Sequence, residues 1–302
     1  MTGPAPVAPH ATLLYIVGAQ KAATTWLHKQ FRPHPQVARV AKELHYWDTV
    51  RPPFATKFLE KRKFKQAEAL ATGQSTSEQL AVLDLQVRML VGQGVTHEDY
   101  MALMSRNAHD KAVMIDNTPS YALLSRLTFA EMCCVHPKTR FLFILREPVA
   151  RLVSNIRNRF RHQIANGDMP DAALDRQFAE AGENRYSPDF RRSNYFETMR
   201  ELEAAVPASQ IHYEFYESLF HQTAFDRITD FMGIGRMAPE FGIRRNATAH
   251  KGWVPGAQAL ANARKALDAT YADVAARFGT RVPAEWQVSA PAEKRTMETE
   301  NE

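Results

Sequence analysis

The sequence predicts an α/β fold with a central parallel sheet flanked by helices. Three observations carry that expectation. Short apolar runs of strand length alternate with longer stretches of helical periodicity, the order of a parallel sheet covered on both faces. Most of these runs are apolar throughout, as strands buried on two faces are. The length, 302 residues, suits one large α/β domain, expected over residues 12–285, with 1–11 and 286–302 as flexible tails.

Taken in order, LLYIVG (13–18) is a buried strand that ends in glycine and feeds a loop. Thr24 or Thr25 can cap the following helix, which Pro33 and Pro35 stop near Phe31. VARV (37–40) is a second strand. Residues 50–110 are polar and helical in pattern, with KFLEKRKFKQAEAL the clearest helix, and form a helical insertion or covering layer. AVMID (112–116) and FLFIL (141–145) are further buried strands. IHYEFYE (211–217) alternates in polarity, which suits a sheet edge. Helices are expected over 121–134, 149–165, 189–205, 221–232 and 257–278.

Composition narrows the function. The formal charge of +5 fits an anionic ligand, while no basic stripe or recognisable module points to nucleic acid. The two cysteines, Cys133 and Cys134, are adjacent, so no structural disulfide is expected and the setting is a reducing, cytoplasmic one. The N-terminal stretch lacks the charged and apolar regions of a secretory signal. No apolar run reaches the roughly 18 residues of a transmembrane segment. No His/Cys cluster has ligand spacing, so no metal is expected.

The most informative segment is Gly18-Ala-Gln-Lys21-Ala22-Ala23-Thr24-Thr25, between the first strand and the first helix. Backbone N–H groups of such a loop converge with the helix dipole on one point and attract phosphate or sulfate. Lys21 adds a full charge and the threonines add hydroxyls. The loop of nucleotide triphosphatases reads GxxxxGK[ST]. Here Ala23 and Thr24 stand where Gly-Lys would, and the lysine comes three residues earlier. AVMID does end in an aspartate, Asp116, as a metal-binding strand of a kinase would, so a P-loop nucleotide kinase or ATPase remains the alternative.

GAQKAATTWL (18–27), KELHYWD (42–48) and LREPVARLVSN (145–155) occur in that order. Together they resemble the sulfotransferases that use 3′-phosphoadenosine-5′-phosphosulfate (PAPS), especially the branch holding the Golgi heparan sulfate enzymes and bacterial relatives. DNTPSY (116–121), FYESL (215–219) and ITDFMGI (228–234) are weaker echoes. The resemblance implies a P-loop-like fold and transfer of a sulfuryl group to a hydroxyl or amine, releasing PAP. The acceptor would be a small molecule, lipid or saccharide. A catalytically inactive PAP-binding relative is the other alternative.

Carried over residue by residue, the resemblance implies that Gly18, Lys21, Ala22, Ala23, Thr24 and Thr25 surround the 5′-phosphosulfate. Trp26 would stack on adenine, with Tyr216 near the same base. Arg146 and Ser154 would hold the 3′-phosphate, with Arg151 at the intervening basic position, and Lys251-Gly252 would close over the cofactor. Glu43 matches the family's base, helped or replaced by His45. Asp48, Thr118, Ser120 and Tyr121 would join His45 beside the acceptor. Arginines between 157 and 192 could read an acidic acceptor, or coat a solvated helix face. Ala22 and Ala23 replace glycines common in the family's loop, and a helical φ is expected at Ala23.

Overall fold

The computed structural model describes residues 9–38, 42–49, 56–73, 75–91, 94–241 and 253–287. In chain order these form β1 (Thr12–Gly18), α1 (Thr24–Phe31), β2 (Val37–Ala38), α2 (Tyr46–Thr49), α3 (Thr56–Thr72), α4 (Ser77–Leu90), α5 (His97–Met104) and β3 (Val113–Asn117). A 3₁₀ turn (Pro119–Leu123) leads to α6 (Arg126–Cys134), β4 (Thr139–Leu145), α7 (Pro148–Arg159), α8 (Arg161–Asn166), α9 (Asp171–Glu183) and α10 (Pro188–Arg191). Then follow α11 (Tyr195–Glu203), β5 (Ile211–Phe215), α12 (Gln222–Met232), α13 (Ala257–Ala266) and α14 (Asp268–Phe278).

The five strands pair in parallel in the order β2-β3-β1-β4-β5. Every residue of β1 and β3 is buried, and the apolar runs 13–17 and 113–115 within them are continuous rather than alternating, as suits strands covered on both faces. β5 lies at the edge, as its alternating pattern predicts, and its first three residues are only half-buried. From central β1 the sheet extends to β3 on one side and β4 on the other. The crevice beyond the carboxyl ends of such strands is where open α/β sheets bind ligands. A glycine is required at the end of β1: a Cβ on Gly18 would lie 2.7 Å from Phe143 Cε2 and 3.0 Å from Ala122 Cβ.

Several expected helices are shorter than the patterns suggest. The run over 121–134 divides into the 3₁₀ turn and α6, which Ser125 caps through Thr128 N. The run over 149–165 breaks at Phe160, that over 189–205 between α10 and α11, and that over 257–278 at Leu267. Helix α9 was not among the expected elements. It buries Leu174 and Phe178 in a second apolar cluster with Leu152 and Ile156 of α7, Phe190 of α10 and Trp253. Cys133 is half-buried and Cys134 exposed, both unbonded, so only the first packs as expected. Among the described residues no helix is long and apolar enough to cross a membrane.

Candidate functional site

The loop after β1 is built on strained backbone. Lys21 has φ 73° and Ala23 has φ 61°, so the helical φ expected at Ala23 is not what the chain adopts. The left-handed region costs a non-glycine residue about 1–2 kcal/mol, and such outliers persist where the surroundings over-determine them. Here a buried side chain helps fix them: Asn117 Nδ2 of β3 donates to Thr24 O at 2.8 Å. Neither threonine caps α1, because its N-cap is Ala23 and no side chain bonds the helix start.

Lys21 lies amid cations. Burial first, then the charges of Arg146, Arg151, Arg161 and Lys42, lower its pKa from the usual lysine value to about 8. Arg146, directly after β4, donates from Nη1 to Lys21 O at 2.7 Å and lies 4.4 Å above the Tyr216 ring. Ser154 is half-buried about two helical turns along α7. Arg151 is fully buried. It donates from Nε to Ser193 Oγ at 2.6 Å and from Nη2 to Asp189 O at 2.7 Å, while its buried Nη1 has no hydrogen-bond partner. Such a concentration of guanidinium and ammonium groups suits an anion.

The KELHYWD segment lies against the same edge. Glu43 and His45 also have left-handed φ, 59° and 62°. Glu43 N donates to Asn117 O at 3.0 Å, and Gln86 Nε2 of α4 donates to Glu43 O at 3.1 Å. Lys42 Nζ joins the two segments. It donates to Thr25 Oγ1 at 2.6 Å and to Glu43 Oε1 at 2.9 Å, so the carboxylate stands beside the anion loop. His45 Nδ1 lies 2.5 Å from Asp48 Oδ2, and Ser120 donates to that same oxygen at 2.5 Å. A carboxylate oxygen at that distance suits the His45 tautomer with its proton on Nδ1. Arg192, mostly buried, feels the charges of Asp189 and Asp48.

Three expected contacts are corrected. Trp26 is 6% exposed; Phe220, Phe225 and Phe241 enclose its ring and its indole N–H donates to Glu240 O, so it packs the protein rather than offering a face to adenine. Thr118 and Tyr121 are fully buried and donate to Asp116, at 2.6 and 3.1 Å, instead of facing an acceptor. Ser120, Asp48 and His45 do come together. Lys251 and Gly252 lie outside the described residues. The kinase alternative needs Asp116 at the ligand edge; it is instead fully buried and receives hydroxyl hydrogen bonds from Tyr100, Thr118 and Tyr121.

Sequence reasoning assigned no role to Lys42, Gln86 or Asn117. Lys42 stands inside the quoted motif, beside Glu43, and its charge was a signal. Gln86 comes from a helix far along the chain, and nothing in its neighbours marks it.

The geometry yields a pH dependence. A lysine held near 8 is charged below that value and neutral above it, so an anion that depends on Lys21 should bind fully below pH 8 and more weakly as pH rises through it. An anion bound to Lys21 raises that pKa, so binding near pH 8–9 takes up a proton. Calorimetry in buffers of different ionisation enthalpy checks both signs with PAP as ligand. Proton release on binding would contradict the placement of Lys21 against the anion.

No curated protein matches the chain. Its fold is similar to that of a sulfotransferase from Alicyclobacillus acidocaldarius, at 18% identity and TM-score 0.54, covering 91% of this chain and 98% of that one. It is also similar to the sulfotransferase domain of the Synechococcus PCC 7002 olefin synthase, at 18% identity and TM-score 0.51, covering 88% and 90%. At that identity the likeness concerns the fold. Residues 14–237 match the family model described as "Sulfotransferase family". That match takes in the anion loop, the KELHYWD segment and the arginine that follows β4, and on it the chain belongs to the sulfotransferase family.

Proposed function

We propose that the chain transfers the sulfuryl group of PAPS to a hydroxyl or amine of its acceptor and releases PAP. The observation that carries this reading is the Lys42 bridge, which sets the Glu43 carboxylate beside the anion loop of Lys21. A proton acceptor next to an anion site is what a group transfer to a nucleophile requires.

The residues fit this donor. Its two anionic ends need two sets of cations. Lys21 with the backbone of residues 18–25 suits the phosphosulfate, and Arg146 with Ser154 suits the 3′-phosphate. The unpartnered Nη1 of buried Arg151 is a further donor that an anion would satisfy. Bound PAPS would supply the sulfuryl group, its bond to the 5′-phosphate oxygen breaking as the acceptor atom bonds to sulfur. Lys21 stabilises the charge left on that phosphate oxygen. Glu43 takes the acceptor proton, and His45, fixed by Asp48 and Ser120, orients the acceptor atom. Sulfuryl transfer depends on in-line positioning and charge neutralisation, which these side chains provide together.

Incubation with sulfur-labelled PAPS and a lysate of the source organism tests the reading. Label should move to an acceptor, and EDTA should leave the rate unchanged, because Lys21 supplies the charge that magnesium supplies in phosphoryl transfer. Turnover lost to EDTA and restored by magnesium would contradict it, as would labelled phosphate moving from ATP.

A further inference from the structure

Beneath the His45–Asp48 pair lies a buried polar network that the proposed chemistry does not use. Asp116, next to last in β3, is fully buried. Its carboxylate receives Tyr100 OH at 2.9 Å, Tyr121 OH at 3.1 Å and Thr118 Oγ1 at 2.6 Å. Burial raises its pKa to about 6 against the lowering effect of those bonds. A buried carboxylate costs stability unless its hydrogen bonds are made, and its removal leaves three donors unsatisfied. The three hydroxyls differ in what else they touch. Tyr121 OH also accepts from Trp47 N at 3.3 Å, and Trp47 is in α2, the short turn that carries Asp48. Beside Tyr121 in the same 3₁₀ turn, Ser120 donates to Asp48 directly. The Tyr100 ring stacks on Tyr46 at 4.5 Å between centroids, but its hydroxyl makes no bond to α2.

We propose that Asp116 and Tyr121 are positioning residues of the transfer site: the buried carboxylate orients the Tyr121 hydroxyl, which holds the backbone of α2 and so keeps Asp48 against His45. The role given to that pair rests on the sulfotransferase reading; the linkage itself rests on the hydrogen bonds alone. A four-residue helix has no internal ladder to hold its orientation. Its placement therefore depends on such outside bonds and on the packing of Tyr46 and Trp47. The titratable groups facing the network are Tyr15, Tyr100, His45 and Asp48, with Arg192 on the far side of Asp48.

Two conservative variants separate positioning from plain stability. Tyr121→Phe and Tyr100→Phe each remove one hydroxyl from Asp116 and keep the ring, but only the first cuts the bond to α2. In the full-length protein, the downfield proton resonance of the His45–Asp48 hydrogen bond, assigned by its loss in His45→Asn, is followed by NMR. Transfer rate and PAP affinity are measured alongside. Tyr121→Phe should shift or lose the resonance and lower the transfer rate between about 10- and 100-fold, the scale of a small misplacement of reacting groups, with PAP affinity unchanged. Tyr100→Phe should keep the resonance and a near-normal rate. Asp116→Asn should behave as Tyr121→Phe does if it folds. The proposal is overturned if Tyr121→Phe keeps the resonance and the rate, if Tyr100→Phe matches it in both, or if PAP affinity falls in step with rate. Absence of any transfer by the wild-type protein sinks the sulfotransferase reading, while the resonance comparison still decides the linkage.

Discussion

Lys21→Ala is expected to weaken PAP binding by about 10- to 100-fold, the scale of a hydrogen bond to a charged group, and to lower the transfer rate by roughly a further 10²–10³. The double effect follows from where the ammonium would act. It meets the phosphosulfate in the ground state, and it meets the greater charge on the leaving oxygen in the transition state. Removing it also relieves the repulsion that burial, Arg146, Arg151, Arg161 and Lys42 impose on it. The folded protein without ligand should therefore hold or gain stability below pH 8, where Lys21 is charged and its lowered pKa works against folding. Calorimetric PAP titration, single-turnover rates and thermal melts of the same variant read all three. A variant that binds PAP normally and transfers slowly would leave Lys21 in the chemistry and take it out of ground-state binding. A variant with neither loss would remove it from the site.

Glu43→Gln should lower kcat by about 10²–10⁴, the range of a lost general base, with PAP affinity near normal. The amide keeps the shape and can still accept from Lys42 Nζ, which lies 2.9 Å from Oε1, so the bridge to Thr25 survives and basicity alone is removed. His45→Asn is the companion measurement. His45 Nδ1 faces Asp48, whose carboxylate also accepts from Ser120, a geometry that would also serve a base at Nε2. If His45→Asn is inactive while Glu43→Gln turns over normally, histidine is the base and the carboxylate positions Lys42. If both variants turn over normally, the acceptor reaches the site already deprotonated.

The sheet was legible because strands buried on both faces carry continuous apolar runs, as LLYIV, VMI and FLFIL do within β1, β3 and β4. The edge position of β5 was legible for the complementary reason. Helix ends were less so. Leu267 and Phe160 break long periodic runs where no proline or glycine marks the break. At the site, Lys21, Arg146, Glu43, His45 and Asp48 could be named because they stand in motifs that resemble those of the sulfotransferases, and Arg146 also because its charge directly follows a buried strand. Trp26, Thr118 and Tyr121 were misplaced because a motif fixes where a residue sits along the chain and not which way its side chain turns. Trp26 turns into a ring of phenylalanines contributed by residues 220–241. Tyr121 turns towards Asp116. The left-handed backbone of Ala23 also escaped, since the sequence offers alanine where such a conformation calls for glycine.

Calorimetry of PAP against ADP, without divalent metal, tests the proposed two-ended anion site most directly. PAP and ADP share the adenosine and 5′-phosphate parts, and PAP alone carries the 3′-phosphate. PAP should bind more tightly by about 10- to 100-fold, the equivalent of roughly 1.4–2.7 kcal/mol, for a charge-assisted arginine contact with help from Ser154. Arg146→Ala should erase most of that difference. Tighter binding of ADP or ATP than of PAP, or PAP binding indifferent to Arg146, would contradict the account.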